Sequence, residues 1–379
     1  MTNTVEIDFE NIDKRLFTHC NIIYGAGMNG RLLCEKFEGY GVKTAFFYDD
    51  DHTRWGEDYC GSRILSKEEL IRKCSEDDVN IIISSMYVGQ IKDKLADMSL
   101  NCACFTVLGL LIEKDSKDLN MADYKGNPGL MEKAEKLKGL FDDELSKRYF
   151  DIIKQTIAGG KALPEMVSLY CGQEQYFLDA FRDGLNGMTF VDAGAYTGDT
   201  VRKMKELSIM PKKVYCFEAD DDNYVKLLNY MESDPYAKER IIPVNKALWN
   251  RAETLSMKNE RYNARISGAE EADRKVEAVD LDSFLKAEGT EKIDFIKMDI
   301  EGAERYALKG AEQTILSDRP VLAISIYHSM EDTVDIPLML INELKDYVFL
   351  VRHHSYSYSE TILYCIPRER DHLIKGSAK

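Results

Sequence analysis

Positive charge is scarce in this chain relative to negative charge. Its 379 residues include 50 lysines and arginines against 66 aspartates and glutamates, a net charge of −16, and no stretch forms a basic stripe. Such a surface repels phosphate backbones and anionic lipid headgroups, so neither nucleic acid nor a membrane is an expected partner. No apolar run approaches the ~20 residues that a membrane-spanning helix needs. The acidic amino terminus lacks the apolar core of a secretory signal.

Paired cysteines are also missing. The nine cysteines are scattered and no Cys-x-x-Cys pattern occurs, so neither a zinc site nor a disulfide framework is indicated. We therefore expect a reduced, cytoplasmic protein, and the sequence leaves its oligomeric state open. A single core rarely grows past about 250 residues, so a chain of this length predicts two domains.

The stretch that most clearly predicts a ligand-binding site is residues 188–199, Met-Thr-Phe-Val-Asp-Ala-Gly-Ala-Tyr-Thr-Gly-Asp. Its apolar and β-branched residues predict a short buried strand that ends at Asp192, and a helical spacing begins after Asp199. Gly194 and Gly198 lie in the turn between them. A strand, a glycine turn and a helix start together predict a hollow of free backbone N–H groups that a ligand can approach.

Carboxylates flank this turn. Asp192 and Asp199 favour a ligand with a positive group over a bare pyrophosphate. The next predicted strand ends in Glu218, some 20 residues beyond Gly198, where an acid can bind two ribose hydroxyls. S-adenosylmethionine (SAM) fits, although Asp192 could instead only cap the helix. The other predicted cofactor contacts are Ala195, Tyr196, Thr197, Gln175 and Tyr176.

A second glycine-rich turn lies near the amino terminus. A strand-like run leads into Gly25-Ala-Gly27-Met-Asn-Gly30, and Asp49 ends the next strand, 19 residues after Gly30. This order is typical of a nucleotide-binding domain of the dinucleotide type, so we predict a Rossmann-like domain over residues 1–110. Such a fold can also serve, with its pocket empty, as a docking or assembly module.

A nucleotide sugar is another candidate ligand for this region. Tyr48-Asp49-Asp50-Asp51 and the run from Gly56 to Leu65 resemble the nucleotide-sugar-binding domain of bacterial sugar acetyltransferases. The resemblance covers only residues 1–110.

Charged residues gather again in the segment Ile293-Asp-Phe-Ile-Lys-Met-Asp-Ile-Glu-Gly-Ala-Glu304. Lys297, Asp299 and Glu301 alternate along an extended chain and so point to one side. Because ligands bind at the carboxyl ends of parallel strands, Asp299 is expected beside the carboxylates described above. Charges at the end of a buried strand are costly unless used or paired, and Lys297 could simply pair with a carboxylate inside the sheet.

The last part of the chain predicts how the second sheet is completed. His328 follows the predicted strand 321–327 and is a better functional candidate than His353 and His354. The final two strands, 347–352 and 360–366, are close enough in sequence to form an antiparallel hairpin. Five parallel strands closed by such a hairpin are expected of a class I methyltransferase.

A resemblance to the FkbM family of SAM-dependent methyltransferases is carried by Val191–Asp199, Phe217–Ala219, Val279–Asp282, Asp294–Glu304, Leu308–Ala311 and Arg319–Pro320. Its most specific motif is Lys-x-Asp-x-Glu-Gly-x-Glu. The resemblance implies O-methylation of a hydroxyl in a sugar, polysaccharide or polyketide, which is EC 2.1.1 chemistry. Ala219 departs from the proline of many members. The expected α/β architecture is thus two Rossmann-like domains, over 1–110 and 170–379, with a helical connector over 111–169.

In the predicted reaction an alcohol oxygen displaces the sulfonium methyl group. Asp299 or His328 is expected to act as the base, and Lys297 and Glu301 to orient a sugar or glycan acceptor. A divalent cation held by Asp299, Glu301, Glu304 and His328 is an alternative. The spacing of these residues does not require one, so no metal is predicted.

Two other classes of function stay open. A nicotinamide-dependent oxidoreductase would use the amino-terminal glycine turn and Asp49, and a non-catalytic assembly protein would use neither site.

Overall fold

A computed structural model describes residues 4–100, 102–111, 114, 121–159, 166, 168–260, 263–266, 274–290, 292–355 and 358–373. The chain divides into two compact units, residues 1–120 with 355–358 and residues 121–354 with 359–379. Within the described ranges, no helix is both long and apolar enough to cross a membrane.

The first unit is built on a seven-stranded sheet in the order β1-β7-β6-β2-β3-β5-β4, with only the β4–β5 pair antiparallel. Its strands are β1 (Thr4–Glu6), β2 (Cys20–Tyr24), β3 (Phe46–Tyr48), β4 (Asp58–Tyr59), β5 (Ser62–Leu65), β6 (Val79–Ile83) and β7 (Ala103–Thr106). The helices are α1 (Arg15–Thr18), α2 (Met28–Gly39), α3 (Lys67–Glu76) and α4 (Val88–Asp97). The isoleucine-rich β2 and β6 lie at its centre because parallel strands are buried on both faces.

The second unit carries the larger core. Its strands are β8 (Thr189–Ala193), β9 (Lys213–Phe217), β10 (Ile241–Val244), β11 (Ala247–Leu248), β12 (Glu253–Glu260), β13 (Asn263–Ile266), β14 (Arg274–Val279), β15 (Phe295–Met298), β16 (Val321–Ser325), β17 (Tyr347–His353) and β18 (Thr361–Pro367). Its helices are α5 (Pro128–Lys138), α6 (Glu144–Ile157), α7 (Asp179–Arg182), α8 (Asp199–Glu206), α9 (Asp221–Ser233), α10 (Pro235–Arg240), α11 (Leu281–Glu288), α12 (Glu304–Lys309), α13 (Glu312–Asp318) and α14 (Met330–Glu343).

The main sheet of this unit has the order β10-β9-β8-β15-β16-β18-β17. The first five strands are parallel, and β18 is antiparallel to β16 and β17. This confirms the predicted α/β class and the sheet closed by a terminal hairpin. A smaller sheet has the order β11-β14-β12-β13, and β12 and β13 pair in it as antiparallel strands.

Aromatic stacking fixes the central strands of the main sheet against each other. Every residue of β8, β15 and β16 is buried, and the rings of Phe190 and Phe295 stack with centroids 4.9 Å apart. This rigid centre holds the carboxyl ends of β8 and β15 side by side, which is where the charged residues of both motifs follow.

Residues 304–318 form two helices, α12 and α13, and not one continuous helix, with the break at Gly310. The carbonyl of Gly310 accepts a hydrogen bond from the backbone N–H of Asp282 at 2.9 Å instead of continuing the helix. A Cβ atom built on Gly310 would lie 2.0 Å from the carbonyl oxygen of Trp249. Tertiary contacts therefore override a helical pattern that the local sequence supports.

Gly310→Ala is expected to destabilise the protein, because neither backbone segment can move away cheaply. Overpacking of this kind typically costs about 1–3 kcal/mol, measurable as a lower urea midpoint. Gly129→Ala is the matched control, since its Cβ would meet nothing closer than 3.5 Å. Equal urea midpoints for the two variants would contradict the close packing of Gly310 against the backbone of Trp249.

Candidate active site

The predicted glycine turn follows β8 and leads into α8. Gly194 and Gly198 have φ values of 77° and 88°, which favour glycine. A Cβ on Gly194 would lie 1.9 Å from the carbonyl oxygen of Asp299, and one on Gly198 would lie 2.7 Å from the ring of Tyr230. The turn is therefore pressed against the end of β15 as well as against α9.

Four backbone N–H groups of this turn are not free, in contrast to the expected hollow of free donors. Gly194 and Ala195 both donate to the carbonyl of Phe217, at 3.0 and 2.9 Å, and Gly198 donates to Ala195. The N–H of Tyr196 donates to Glu218 Oε2 at 2.7 Å. These donors are used inside the protein, which disfavours an anionic ligand there.

Lys297 explains how the turn is held. It lies in β15 opposite Asp192 of β8, and its side chain is 5% exposed. The ammonium contacts Asp192 Oδ1 at 3.0 Å and donates to the carbonyls of Ala193 and Gly194 at 3.2 and 2.6 Å. The ammonium therefore pairs with one carboxylate and donates to two carbonyls, and it holds the turn against the end of β8.

The charge on this lysine is retained despite its burial. Burial opposes the ammonium, but the carboxylates of Asp192, Asp299 and Asp199 outweigh it and raise the pKa of Lys297 above its usual value. The prediction that Lys297 orients the acceptor does not fit this placement. The alternative of a lysine paired inside the sheet does.

Glu218 lies where the sequence places it, directly after β9 and beside the glycine turn. Its Oε2 accepts from Tyr196 and its Oε1 accepts from the N–H of Asp220 at 2.7 Å. Burial raises its pKa to about 7, although these two hydrogen bonds oppose the shift. Asp199 begins α8 on the exposed side of the turn, and Thr197 Oγ1 accepts from Arg202 at 3.3 Å.

Asp299 is the centre of a second group of polar side chains. The hydroxyl of Tyr176 donates to Asp299 Oδ2 at 2.7 Å, and Tyr327 donates to Oδ1 at 3.2 Å. Gln175 Nε2 donates to the Tyr176 hydroxyl at 3.1 Å and to Glu360 Oε2 at 2.6 Å. The structure thus brings the predicted Gln175 and Tyr176 to the predicted Asp299, and it adds Tyr327 and Glu360.

His328 is held between carboxylates on both of its ring nitrogens. Nε2 lies 3.3 Å from Asp299 and 3.6 Å from Glu301, whereas Nδ1 lies 3.1 Å from Glu304. Burial opposes the cation, but Glu304 and Asp299 outweigh it and raise the pKa of His328 well above its usual value. An imidazolium cannot accept a proton, so this geometry favours His328 as a cationic partner of Asp299 and not as the base.

The same cation acts on Asp299. Burial raises the pKa of a carboxyl group, yet contact with His328 and the nearby charge of Lys297 hold that of Asp299 below its usual value. Asp299 is therefore ionised at neutral pH and weakly basic.

A metal ion would need a different arrangement of these groups. Donor atoms of Asp299, Glu304 and His328 lie within 4.8 Å of one another. However, the imidazole faces Asp299 and Glu304 with opposite nitrogens, and one metal ion takes only one of them. Glu304 Oε1 also accepts from the N–H of Ile300 at 2.8 Å. The described geometry favours a protonated histidine over a cation bridging all three.

Backbone strain is concentrated at the site. Among the described residues, nine non-glycine residues have positive φ, and four of them lie here. These four are Tyr176, Tyr196, Glu301 and Glu360, with φ between 48° and 66°. Strained residues persist where the surrounding structure holds them, and they cluster at functional sites.

Sequence reasoning missed Tyr327 and Glu360. Tyr327 directly precedes His328 at the end of a predicted strand, so its position offered a signal. Glu360 belongs to no motif, and only the pairing of β18 with β16 brings it to this edge of the sheet.

The amino-terminal turn is arranged differently from a nucleotide cradle. Asp49 Oδ2 accepts from the N–H of Ala26 at 2.7 Å, and the carbonyls of Ala26 and Gly27 accept from Arg54 and Tyr59. Gly30 packs so closely that a Cβ would lie 2.0 Å from the carbonyl oxygen of Gly25, which gives this glycine a structural role. A nucleotide site at these glycines and Asp49 stays a prediction.

A seven-stranded sheet of this order, with a glycine turn after β8 and an acid after β9, is the arrangement expected of a class I methyltransferase. Residues 192–358 match the family model described as the methyltransferase FkbM domain, and this part of the chain is an FkbM methyltransferase domain.

Solved structures of low sequence identity are also similar to the chain. A methyltransferase FkbM from Methylobacillus flagellatus KT is 19% identical over 93% of this chain and 91% of its own, with a TM-score of 0.49. An rRNA methylase from Streptococcus thermophilus is 16% identical over 48% and 88%, with a TM-score of 0.31. A Streptococcus mutans methyltransferase in complex with SAH is 13% identical over 48% and 90%, with a TM-score of 0.30. No curated protein matches the chain.

Lys297→Met is expected to lower the free energy of unfolding by about 3–5 kcal/mol, because it leaves the Asp192 carboxylate buried and unpaired. Urea titration measures this loss. The matched control is Lys238→Met, whose exposed partner Glu232 lies 2.7 Å away and whose removal should cost less than about 1 kcal/mol.

Adding Asp192→Leu to Lys297→Met should restore part of the lost stability, since an apolar pair replaces an unpaired charge. If Lys297→Met unfolds at the same urea concentration as the control, the bracing role is wrong.

Proposed function

We propose that this protein transfers the methyl group of SAM to a hydroxyl group of a sugar or glycan precursor. The observation that carries the proposal is the placement of Glu218, the glycine turn and Asp299 at the carboxyl ends of β9, β8 and β15, which are adjacent strands. In open α/β sheets this edge is where ligands bind.

The residues of the turn suit a cationic cofactor. The N–H groups of Gly194, Ala195 and Tyr196 are already used, so a phosphate would find few donors. Glu218 keeps lone pairs for the two ribose hydroxyls, and the ionised Asp299 adds negative potential on the side of the sulfonium group. SAM is therefore a better fit than a dinucleotide.

SAM supplies an activated methyl group, so the protein's task is alignment and proton removal. Holding the acceptor oxygen in line with the methyl carbon and sulfur can contribute about 7–11 kcal/mol. The half-buried carboxylates Asp299, Glu301 and Glu360 can accept hydrogen bonds from the several hydroxyls of a sugar. A phosphate close to them would be repelled, so in a nucleotide-sugar acceptor the phosphates would lie away from this cluster.

Calorimetry separates the classes of function. We expect SAM and S-adenosylhomocysteine (SAH) to bind the full chain with one site each, and Glu218→Ala to weaken both. Binding of NAD alone would favour an oxidoreductase, and binding of no nucleotide would favour an assembly protein. A panel of nucleotide sugars and glycan fragments with methyl-labelled SAM then tests for transfer to a hydroxyl group, with free amines as the competing acceptor class.

SAH affinity should depend on pH through Glu218. Its pKa of about 7 in the folded protein means that it is protonated below neutrality, when it accepts ribose hydroxyls poorly. Affinity should therefore rise with pH up to about 7 and then level, with a slope of at most about tenfold per pH unit for one proton.

Glu218→Gln tests the source of that dependence by calorimetry at several pH values. The variant should bind SAH more weakly and with a flatter pH profile. An unchanged profile would assign the titration to another group.

A further inference from the structure

Glu360 is a carboxylate of the site that the family motif does not include. It directly precedes β18, is half-buried, and adopts a φ of 61°, which a glutamate rarely does. Its backbone carbonyl accepts from the N–H of His354 at 2.9 Å, which holds this conformation. Its Oε2 accepts from Gln175 at 2.6 Å, and among the described residues nothing donates to its Oε1.

A short hydrogen-bonded bridge fixes Glu360 relative to Asp299. Gln175 Nε2 contacts both Glu360 and the hydroxyl of Tyr176, and that hydroxyl donates to Asp299 at 2.7 Å. Glu360 directly precedes β18 and Asp299 directly follows β15, and β16 lies between these two strands. Both carboxylates face the same polar region. The titratable groups around Glu360 are Asp299, Glu301, His328, Tyr176 and Tyr327.

Three other charged groups of the site are poorly suited to accept a proton. Both oxygens of Asp299 already accept from tyrosine hydroxyls, and its carboxylate faces the cation of His328. The ring nitrogens of His328 both face carboxylates, and the ammonium of Lys297 is engaged by Asp192 and by two backbone carbonyls. Glu360, by contrast, keeps one oxygen without a donor.

The basicity of Glu360 is also appropriate. Burial raises its pKa to about 7, and the neighbouring carboxylate of Asp299 adds to the shift. A general base works best when its pKa lies near the working pH, because it is then both ionised and sufficiently basic. Asp299 is ionised but weakly basic, so the two acids differ in the property that proton transfer needs.

We propose that Glu360 is the general base, and that its Oε1 takes the proton of the acceptor hydroxyl. This inference rests on the proposed function. The acceptor oxygen bonds to the methyl carbon, the carbon–sulfur bond breaks with its electron pair on sulfur, and the hydroxyl proton passes to the Glu360 carboxylate. The products are the methyl ether, neutral SAH and a protonated Glu360. Asp299 stays ionised throughout and helps to orient the acceptor.

The first test needs no acceptor. Infrared difference spectra of the SAH-bound protein, recorded across neutral pH, report carboxyl groups that lose a proton. Glu218 and Glu360 both have a pKa of about 7, so the wild type should show signals from both with midpoints near pH 7. Glu218→Gln removes one of them, and we expect the signal that remains in this matched control to be absent when Glu360→Gln is added. If the neutral-pH signal of Glu218→Gln survives the addition of Glu360→Gln, the proposal is overturned.

The second test is methyl transfer with an acceptor from the screen. Glu360→Gln keeps the hydrogen bond from Gln175 available and should lower kcat by about 10²–10⁴-fold, with SAH affinity within twofold of wild type by calorimetry. The rise of wild-type kcat with pH through about 7 should disappear. Glu360→Asp should retain part of the activity. A Glu360→Gln variant that binds SAH and turns over at the wild-type rate overturns this inference alone, whereas a wild-type protein that does not bind SAH overturns the proposed function.

Discussion

The site depends on one buried ion contact between adjacent strands. Lys297 of β15 reaches Asp192 of β8, and the same ammonium holds the carbonyls of Ala193 and Gly194. A buried ammonium is costly unless every proton has an acceptor. Satisfying this one group therefore fixes the distance between two strand ends, the orientation of the glycine turn and the approach of Gly194 to the backbone of Asp299.

The surroundings of each acid then assign different properties to chemically similar side chains. Asp299 faces His328 and Lys297, which hold its pKa low, whereas burial raises the pKa values of Glu218 and Glu360 to about 7. Groups whose pKa values are separated in this way can act as a permanent charge and as a proton acceptor in one site. The net charge of the chain has no part in this, because these differences arise from contacts within a few ångströms.

Local patterns in the sequence predicted the parts of the site that short segments determine. The strand before Asp192, the turn at Gly194 and Gly198, and the position of Glu218 depend on alternation, glycine spacing and strand length, which are visible in one stretch. For Lys297 the sequence left two roles open, because the alternation of residues gives a side of the strand but not the partner on the neighbouring strand. Glu360 and the break at Gly310 were missed for a related reason, since each depends on a segment distant in sequence.

The two glycine turns of this chain show why the motif alone does not identify a ligand. In both units the acid after one strand, β3 or β9, accepts a hydrogen bond from the turn that follows the preceding strand, β2 or β8. Asp49 accepts from Ala26 and Glu218 from Tyr196, each at 2.7 Å. The motif thus has a structural use in both. The two turns differ in the residues that surround the acid. Arg54 and Tyr59 occupy the carbonyls of the first turn, whereas the second adjoins a buried lysine, a histidine between carboxylates and strained backbone. The argument for catalysis therefore comes from the neighbouring strand ends. Buried charged groups lie close together there, which is costly, and folding alone does not require them.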